Sequence, residues 1–536
     1  MCYSLAHYWV AESRDNIVHL DYGSFLGHFN EQYNYTAWQK LPYAAPPTGK
    51  NRFRAPQPPV KQKGLYDSRK KFSACPQGTS GGSEDCLYLG LFGRPWTEGQ
   101  PLRPTVVVFH GGGFVAGSGS FETPPTSYPI LNVSEPDMMF VYPHYRLNAF
   151  GFLAGVQVEN NPTADFNIGL LDQKACLKWV QRYVRSFGGD PNNVTIWGQS
   201  AGGGSVVAQI IAKQERPSLF HKAAASSPFW PKVYPWNSTQ AQGMYDDLAS
   251  LTGCTGPNSL ECLRNISARA LQNASFAVQN QNLYTTSTYN WGPVLDDSFL
   301  PKSLSQRTRS SLSHLKTAFT VYTTHDAKKF ISTGLGKVAG DASSLFNSSH
   351  ASFDQWLKGF LPGLSSKDRQ QVRRHYPQNR STETISYSNN FDRASLIYRD
   401  SVLACPALWV SASATNEGWL TEYAVSPAGH AQDGWWWNSV TGKQYDDILK
   451  YETLIVDCNI RLTLGITKSE IGAFKSYFST GDPNQHRLTE LRGPPVLGRL
   501  AQEQWVVGDS GFRVSGTSQL QERCEFWRSV ARKIPL

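Results

Sequence analysis

The sequence predicts an α/β fold: a mostly parallel central sheet flanked by helices, with helical cap insertions between about residues 230 and 400. Three observations carry this reading. The first half alternates short apolar runs with helical patterns; one segment steps from strand through a tight turn straight into helix; and the middle of the chain is richer in Ser, Asn and Gln, with few strand signals. Large α/β chains reach 536 residues around one elaborated sheet, so residues 1–536 are read as a single domain.

Each element follows from local pattern. Pro104 to Phe109 (PTVVVF) is a β-branched apolar run bounded by polar residues, hence a buried strand, and Asp137 to Tyr142 (DMMFVY) reads as the next. Leu171, Cys176, Leu177, Val180 and Val184 fall at helical spacing, which predicts a helix over Leu170 to Phe187. Val194 to Trp197 returns to strand, and a helix over Ala201 to Lys213 (AGGGSVVAQIIAK) follows at once. After Lys222 the alternation weakens. Phe319 to Tyr322 and Leu420 to Tyr423 are strand candidates in the later part of the chain.

Bulk properties exclude several classes. The chain is 40% hydrophobic and 17% charged, with 16 Trp, 24 Tyr and 27 Phe, which supplies a large core and excludes disorder. Its formal charge of +9 is spread along the chain with no block of like charges, so a nucleic-acid partner is not expected. No apolar run approaches the ~20 residues that cross a bilayer. Met1 to Asp15 shows neither the basic start nor the apolar stretch of a signal peptide, yet eight Asn-x-Ser/Thr sequons, at Asn34, Asn132, Asn193, Asn237, Asn265, Asn273, Asn347 and Asn379, suit a secreted glycoprotein. Asn193, beside a buried strand, is expected to be unmodified.

Serine attacks an ester only when one group takes its proton and another holds the oxyanion that forms. The G-x-S-x-G elbow exposes such a serine on a strained strand-to-helix turn. Two matches occur, at Gly78, Ser80, Gly82 and at Gly198, Ser200, Gly202. Ser80 lies in a polar run with no strand before it and no helix after it. Ser200 follows the Val194 strand and opens the Ala201 helix, whose amino terminus favours developing negative charge, so Ser200 is the candidate nucleophile. Upstream, His110, Gly111, Gly112, Gly113 and Phe114 directly follow a buried strand, and such a glycine run lets backbone N–H groups point at a substrate oxygen.

These blocks resemble the type-B carboxylesterases, the α/β-hydrolases that include cholinesterases, Candida-type lipases and bile-salt lipases. The resemblance runs from Tyr43, Ala44, Ala45, Pro46, Pro47, Gly49, Arg52 and Phe53 through Glu84 to Leu89 and the HGGGF run at His110. It continues with Tyr145 to Leu153, Gly169 to Gln173, Phe187 to Pro191, the GQSAGG run at Gly198 and Thr480 to Asn484. It implies an α/β-hydrolase fold and an oxyanion hole built from the N–H groups of Gly112, Gly113 and Ala201.

The family's histidine lies in Gly-x-x-His-x-x-Glu/Asp, which Gly429, His430 and Asp433 match loosely; His430 follows a candidate strand well after Ser200, as the order Ser, acid, His requires, and is the expected base. The family's acid is usually Glu in Glu-Gly-x-x-Phe. No Glu occurs here between Glu261 and Glu383, so an aspartate is expected, and Asp326, with the Phe319 strand before it and Phe330 four residues after, fits best over Asp297, Asp341 and Asp354. Gln199 stands where the family usually has Glu beside the nucleophile, and His144 where it has Asn.

Nine Cys cannot all pair. The resemblance implies the pairs Cys75 with Cys86, Cys254 with Cys262, and Cys405 with Cys524, leaving Cys2, Cys176 and Cys458; Cys176, on an apolar helix face, reads as a core residue. No zinc spacing is present, so neither metal nor cofactor is expected. The loop Pro76 to Asp85 is short and lacks aromatics, which disfavours a choline ester. Phe114, Trp230 and Trp435 are candidate substrate contacts, within an aromatic set that also holds Phe229, Tyr234, Trp236, Trp436 and Trp437. The expected partner is a small-molecule or lipid-like ester with an apolar or aromatic part. Transfer of the acyl group to another acceptor, or a binding protein without catalysis, would use the same fold.

Overall fold

A computed structural model describes residues 16–70, 72–119, 125–132, 137–281, 287, 290–341, 346–378, 380–382, 385–434, 472–486, 494–496 and 503–535. Met1 to Asp15, Asn379, Trp435 to Trp437 and Cys458 lie outside the described residues.

An eleven-stranded sheet organises the molecule. Its strands are β1 (His28–Asn30), β2 (Tyr35–Pro42), β3 (Tyr88–Gly93), β4 (Arg103–Phe109), β5 (Met139–Pro143), β6 (Gly189–Gln199), β7 (Lys222–Ser226), β8 (Thr317–Thr323), β9 (Glu417–Ala424), β10 (Glu503–Gly508) and β11 (Gly511–Gly516). They lie in the order β11-β10-β9-β8-β7-β6-β4-β5-β3-β2-β1. The seven strands from β10 to β5 in that order pair in parallel, and antiparallel strands close both edges. A separate three-stranded sheet joins Ile17–Leu20, Gly23–Leu26 and Leu65–Asp67.

Parallel strands are buried on both faces, and their sequences show it: β4 (RPTVVVF) and β8 (TAFTVYT) are almost wholly buried. Helix α1 (Ile168–Tyr183) carries the apolar face read from the sequence and ends in a 3₁₀ turn at Val184–Phe187. Helix α2 (Ala201–Ile211) stops two residues before the expected Lys213 and is buried at every position. Its opening glycines let it dock against the sheet, since a Cβ on Gly202 would stand 2.0 Å from the Phe109 carbonyl and one on Gly204 2.1 Å from that of Phe229. Any side chain there would push the helix outward, so close packing outweighs the helix-propensity cost of glycine, roughly 1 kcal/mol per residue.

Between 230 and 400 the chain supplies the helices Thr239–Leu251, Ser259–Asn265, Ala268–Asn280, His350–Phe360, Ser366–His375 and Asn390–Arg399, interrupted by β8 returning to the sheet. Disulfides join Cys75 to Cys86, Cys254 to Cys262 and Cys405 to Cys524, and Cys176 is a buried free thiol. Among the described residues no helix is long and apolar enough to cross a membrane.

Candidate active site

Every strand and turn that matters here ends at the carboxyl edge of the parallel strands, where ligand sites form in open α/β sheets. β6 delivers Ser200 at the elbow with φ 58° and ψ −124°, outside the ordinary regions for a non-glycine residue. The turn is held by the Ser200 N–H donating to the Ser226 carbonyl at 2.9 Å, while the Ser200 carbonyl accepts from Gly204 N–H at 2.8 Å and Phe229 N–H at 2.9 Å. Gly198 has no alternative: a Cβ there would lie 2.3 Å from the Gly202 backbone. Ser200 Oγ thus stands at the start of α2, where first-turn N–H groups lack intrahelical acceptors.

β8 and β9 bring the other two side chains. After β8 the chain turns so that Thr323 N–H donates to Asp326 Oδ2 at 3.1 Å, fixing a carboxylate that is fully buried. His325 N–H, after β8, donates to the Ala428 carbonyl, after β9, at 2.8 Å, which tethers the Asp326 loop to the His430 loop, and within the latter the Gly429 N–H donates to Gln432 Oε1. Ala428 and Ala431 both take positive φ, 51° and 70°, around the histidine. The result is one hydrogen-bonded line. His430 Nε2 lies 2.8 Å from Ser200 Oγ, and His430 Nδ1 lies 2.6 Å from Asp326 Oδ1. Residues 104 and 230 positions from His430 therefore meet it at one point.

Electrostatics at this line favour a charged Asp326. Burial alone would raise its carboxyl, but the charge of His430, the hydrogen bond from His430, and those from Thr323 N–H and Ser227 hold it below its ordinary value. Asp433, one turn after His430 and 1% exposed, goes the other way. Burial, then the negative charge of Asp326, pushes it up to about 7. Burial and the nearby negative charge of Asp326 thus both favour the protonated form of Asp433. Asp433 entered the sequence reading only as part of the histidine's context; its signal was its three-residue spacing from His430.

The glycine loop after β4 lies against the elbow. A Cβ on Gly111 would stand 3.2 Å from Ser200 Cβ, and Gly112 and Gly113 take φ 110° and 66°. Val115 and Ala116 N–H groups both donate to the Gly112 carbonyl, at 3.1 and 3.0 Å, which closes the turn. The His110 ring stacks on Tyr145 at 4.2 Å, and Tyr145 Oη donates to the His110 carbonyl at 2.7 Å. Gln77, inside the Cys75–Cys86 loop, clamps the far end by exchanging two hydrogen bonds with Gly117, at 2.8 and 2.9 Å. That loop is itself anchored by a bidentate Arg52–Glu84 pair, both contacts at 2.7 Å.

Other expected site residues fall differently. Phe114 and Trp230 are buried in the core, Phe114 against Phe152 and Phe229. The cavity nearby is lined by Phe229, Tyr234 and Phe360. Trp435 lies outside the described residues. Phe330, used in the sequence only to locate Asp326, packs edge-on against the His430 ring at 5.0 Å. Gln199 Nε2 lies 3.4 Å from His430 Nε2. His144 is buried beside Phe72, and burial drives its ring down to about 3, so it is neutral.

Comparison with known proteins is consistent with this architecture. A model of the carboxylesterase family matches residues 14–507. Juvenile hormone esterase of Tribolium castaneum is 37% identical over 274 residues, 48% of this chain and 44% of that protein. The carboxylesterase patB of Aspergillus clavatus is 26% identical over 581 aligned positions, 97% of this chain and 98% of that protein. The secreted triacylglycerol lipase LIP1 of Gibberella zeae is 33% identical over half of each chain. In structure, EstA of Aspergillus niger superposes with a TM-score of 0.80 at 23% identity, covering 97% of this chain and 99% of that one, which shows the shared α/β-hydrolase fold. With the family model matched along most of its length, the chain belongs to the carboxylesterase family.

Proposed function

We infer that this protein hydrolyses carboxylic esters through an acyl-enzyme on Ser200. The observation that carries the reading is the continuous line Ser200 Oγ, His430, Asp326, with contacts of 2.8 and 2.6 Å. His430 Nε2 takes the Ser200 proton as Oγ attacks the ester carbonyl, and Asp326 holds the imidazole by Nδ1 and stabilises the imidazolium that forms. The tetrahedral oxyanion accepts from the N–H groups of Gly112, Gly113 and Ala201. Collapse expels the alcohol, which takes the proton from His430. Water then attacks the acyl-enzyme by the same steps in reverse, releasing the acid and regenerating Ser200.

The neutral Gln199 beside His430 leaves this sequence of proton transfers intact, since it replaces none of the groups that move. Three disulfides suit an oxidising, extracytoplasmic compartment, and a secreted lipase among the relatives supports export. The helices between Thr239 and Arg399 act as the cap of a single catalytic domain. Turnover of short p-nitrophenyl esters by the wild-type chain, absent in Ser200→Ala, is the direct test. Inertness of the wild type toward graded acyl lengths would overturn the reading. Product analysis with a competing alcohol present separates transfer to water from transfer to another acceptor.

A further inference from the structure

We propose that an open basic cleft at the edge of the sheet opposite Ser200 binds an acidic polysaccharide, holding its sulfate or carboxylate groups with Lys213, Arg216, Lys302 and Arg307. The cleft lies far from the reacting groups. Helix α2 starts beside Ser200, and its 11 residues, at about 1.5 Å each, carry the chain about 16 Å toward the amino ends of the parallel strands. There the segment after α2 meets the residues around Lys302 and Arg307 and the run through His314 into β8, and together they enclose about 510 Å³. The cations that line this space are scattered in sequence, and the fold gathers them.

No counter-charge answers them. Lys213, Arg216 and Lys302 are exposed and Arg307 is half-buried, and none of these side chains has a hydrogen-bond, ion-pair or ring partner among the described residues. The one carboxylate among the described lining residues, Glu215, already holds Lys174 at 3.0 Å and Lys178 at 2.9 Å. A helix carboxyl terminus attracts cations by itself, but the end of α2 is satisfied without them. Gln214 Nε2 donates to the carbonyls of Gln209, Ile210 and Ala212 at 2.8, 3.2 and 2.9 Å, and His314 Nε2 donates to that of Ile210 at 2.9 Å. His314 registers the uncompensated charge: burial first, and with it Arg307, hold its ring below the ordinary value.

The lining also selects among polyanions. Cations crowded without counter-charge repel one another, and a chain that spaces negative groups along its length relieves that repulsion. The described lining has no Phe, Tyr or Trp on which bases could stack, which disfavours a single-stranded nucleic acid. None of the exposed large apolar residues belongs to it, and a concave wall cannot lie flat on a bilayer, which disfavours a lipid surface. An acidic sugar chain needs neither feature, and the planar forks of Arg216 and Arg307 match sulfate and carboxylate groups. Such polymers occur outside the cell, the compartment proposed above.

The test is titration calorimetry of the whole protein with a heparin oligosaccharide and, separately, with an oligogalacturonate, which distinguish sulfate from carboxylate as the recognised group; uncharged dextran is the blank. At least one of the two acidic sugars should bind, and more weakly as salt is raised. A variant with Lys213, Arg216, Lys302 and Arg307 all changed to Ala should lose about tenfold or more in affinity, the scale of several exposed ion pairs. Its hydrolysis of a p-nitrophenyl ester should match the wild type, which shows that it is folded. A variant with the exposed Lys50, Lys337, Lys358 and Lys367 changed to Ala removes the same charge elsewhere and should keep its affinity to within about twofold, because screening isolates distant charges. Binding of neither acidic sugar by the wild type, or equal loss in the two variants, overturns the proposal and leaves the esterase reading untouched. A single-stranded oligonucleotide or a phosphatidylserine vesicle held more tightly than either sugar through the same cleft residues overturns it too. Should the cleft variant fail to fold, Lys302→Glu reverses one exposed charge and must weaken binding alone; unchanged affinity overturns the proposal.

Discussion

Replacing Asp326 by Asn tests the geometry at its tightest contact. The carboxylate is fully buried, accepts from His430 Nδ1 at 2.6 Å and from Thr323 N–H at 3.1 Å, and is held in its charged form by these partners. Asparagine keeps the volume and removes the charge. Its amide also presents N–H hydrogens where Nδ1–H must donate, so the imidazole turns or takes the tautomer that cannot accept the Ser200 proton at Nε2. Loss of orientation together with loss of imidazolium stabilisation should lower kcat by about 10⁴-fold, or roughly 5 to 6 kcal/mol of transition-state stabilisation. The assay is steady-state hydrolysis of a p-nitrophenyl ester, with circular dichroism to show that the variant is folded. KM should change little, because Asp326 acts on the transition state rather than on ground-state binding. A kcat within tenfold of wild type would refute the reasoning and move the acid to another residue.

Three further outcomes follow from the same structure. Gly112→Ala would put a Cβ 2.1 Å from the Ala116 carbonyl at φ 110°, so the loop must shift; kcat should fall by about 10²- to 10³-fold, the scale for one misplaced oxyanion donor, as read by the same ester assay. Asp433 has a folded pKa raised to about 7 above an unfolded value near 4, so its stabilising contribution is present in acid and is lost as pH rises through that window. Asp433→Asn should therefore raise Tm relative to wild type more at pH 8.5 than at pH 5, and an equal shift at both values would contradict it. The Cys405–Cys524 disulfide closes 119 residues, and converting both to Ala should cost about 4 to 5 kcal/mol on the chain-entropy model, measured by denaturant unfolding.

Much of the architecture could be read directly from residue patterns, and the exceptions have physical reasons. β4, β6 and β8 show as β-branched or aromatic apolar runs because parallel strands are covered on both faces. β7 was missed. Its sequence KAAAS has no β-branched residue and reads as helical, yet alanine is what fits where α2 presses on the sheet; a Cβ on Gly203 would already stand 3.1 Å from the Ser226 carbonyl. β6 also runs back to Gly189, through polar DPNN that carries no strand signal, because Gly189 pairs with Arg103 of β4.

At the site, Ser200 and the glycine run announced themselves locally, since a strained turn needs particular residues at fixed spacing. His430 and Asp326 depended on chain order and family resemblance, because nothing in sequence records that β8 and β9 are neighbours in the sheet. The aromatic residues carried a different kind of signal. Composition marks Phe114, Phe229 and Trp230 as large and apolar, and only tertiary packing decides that all three are buried in one core cluster while Phe229 also lines the cavity. The sequons gain one structural fact: Asn193, expected to be unmodified, donates its side-chain amide to the Ser479 carbonyl at 3.3 Å.

The most direct measurement of the central claim is covalent trapping of the nucleophile. A fluorophosphonate reacts with a serine only where a base and an oxyanion site act together, so intact-mass and peptide analysis should find one adduct, on the peptide holding Ser200. Ser200→Ala and His430→Ala should take up none. An adduct at another serine, or hydrolysis that survives in Ser200→Ala, would contradict the account.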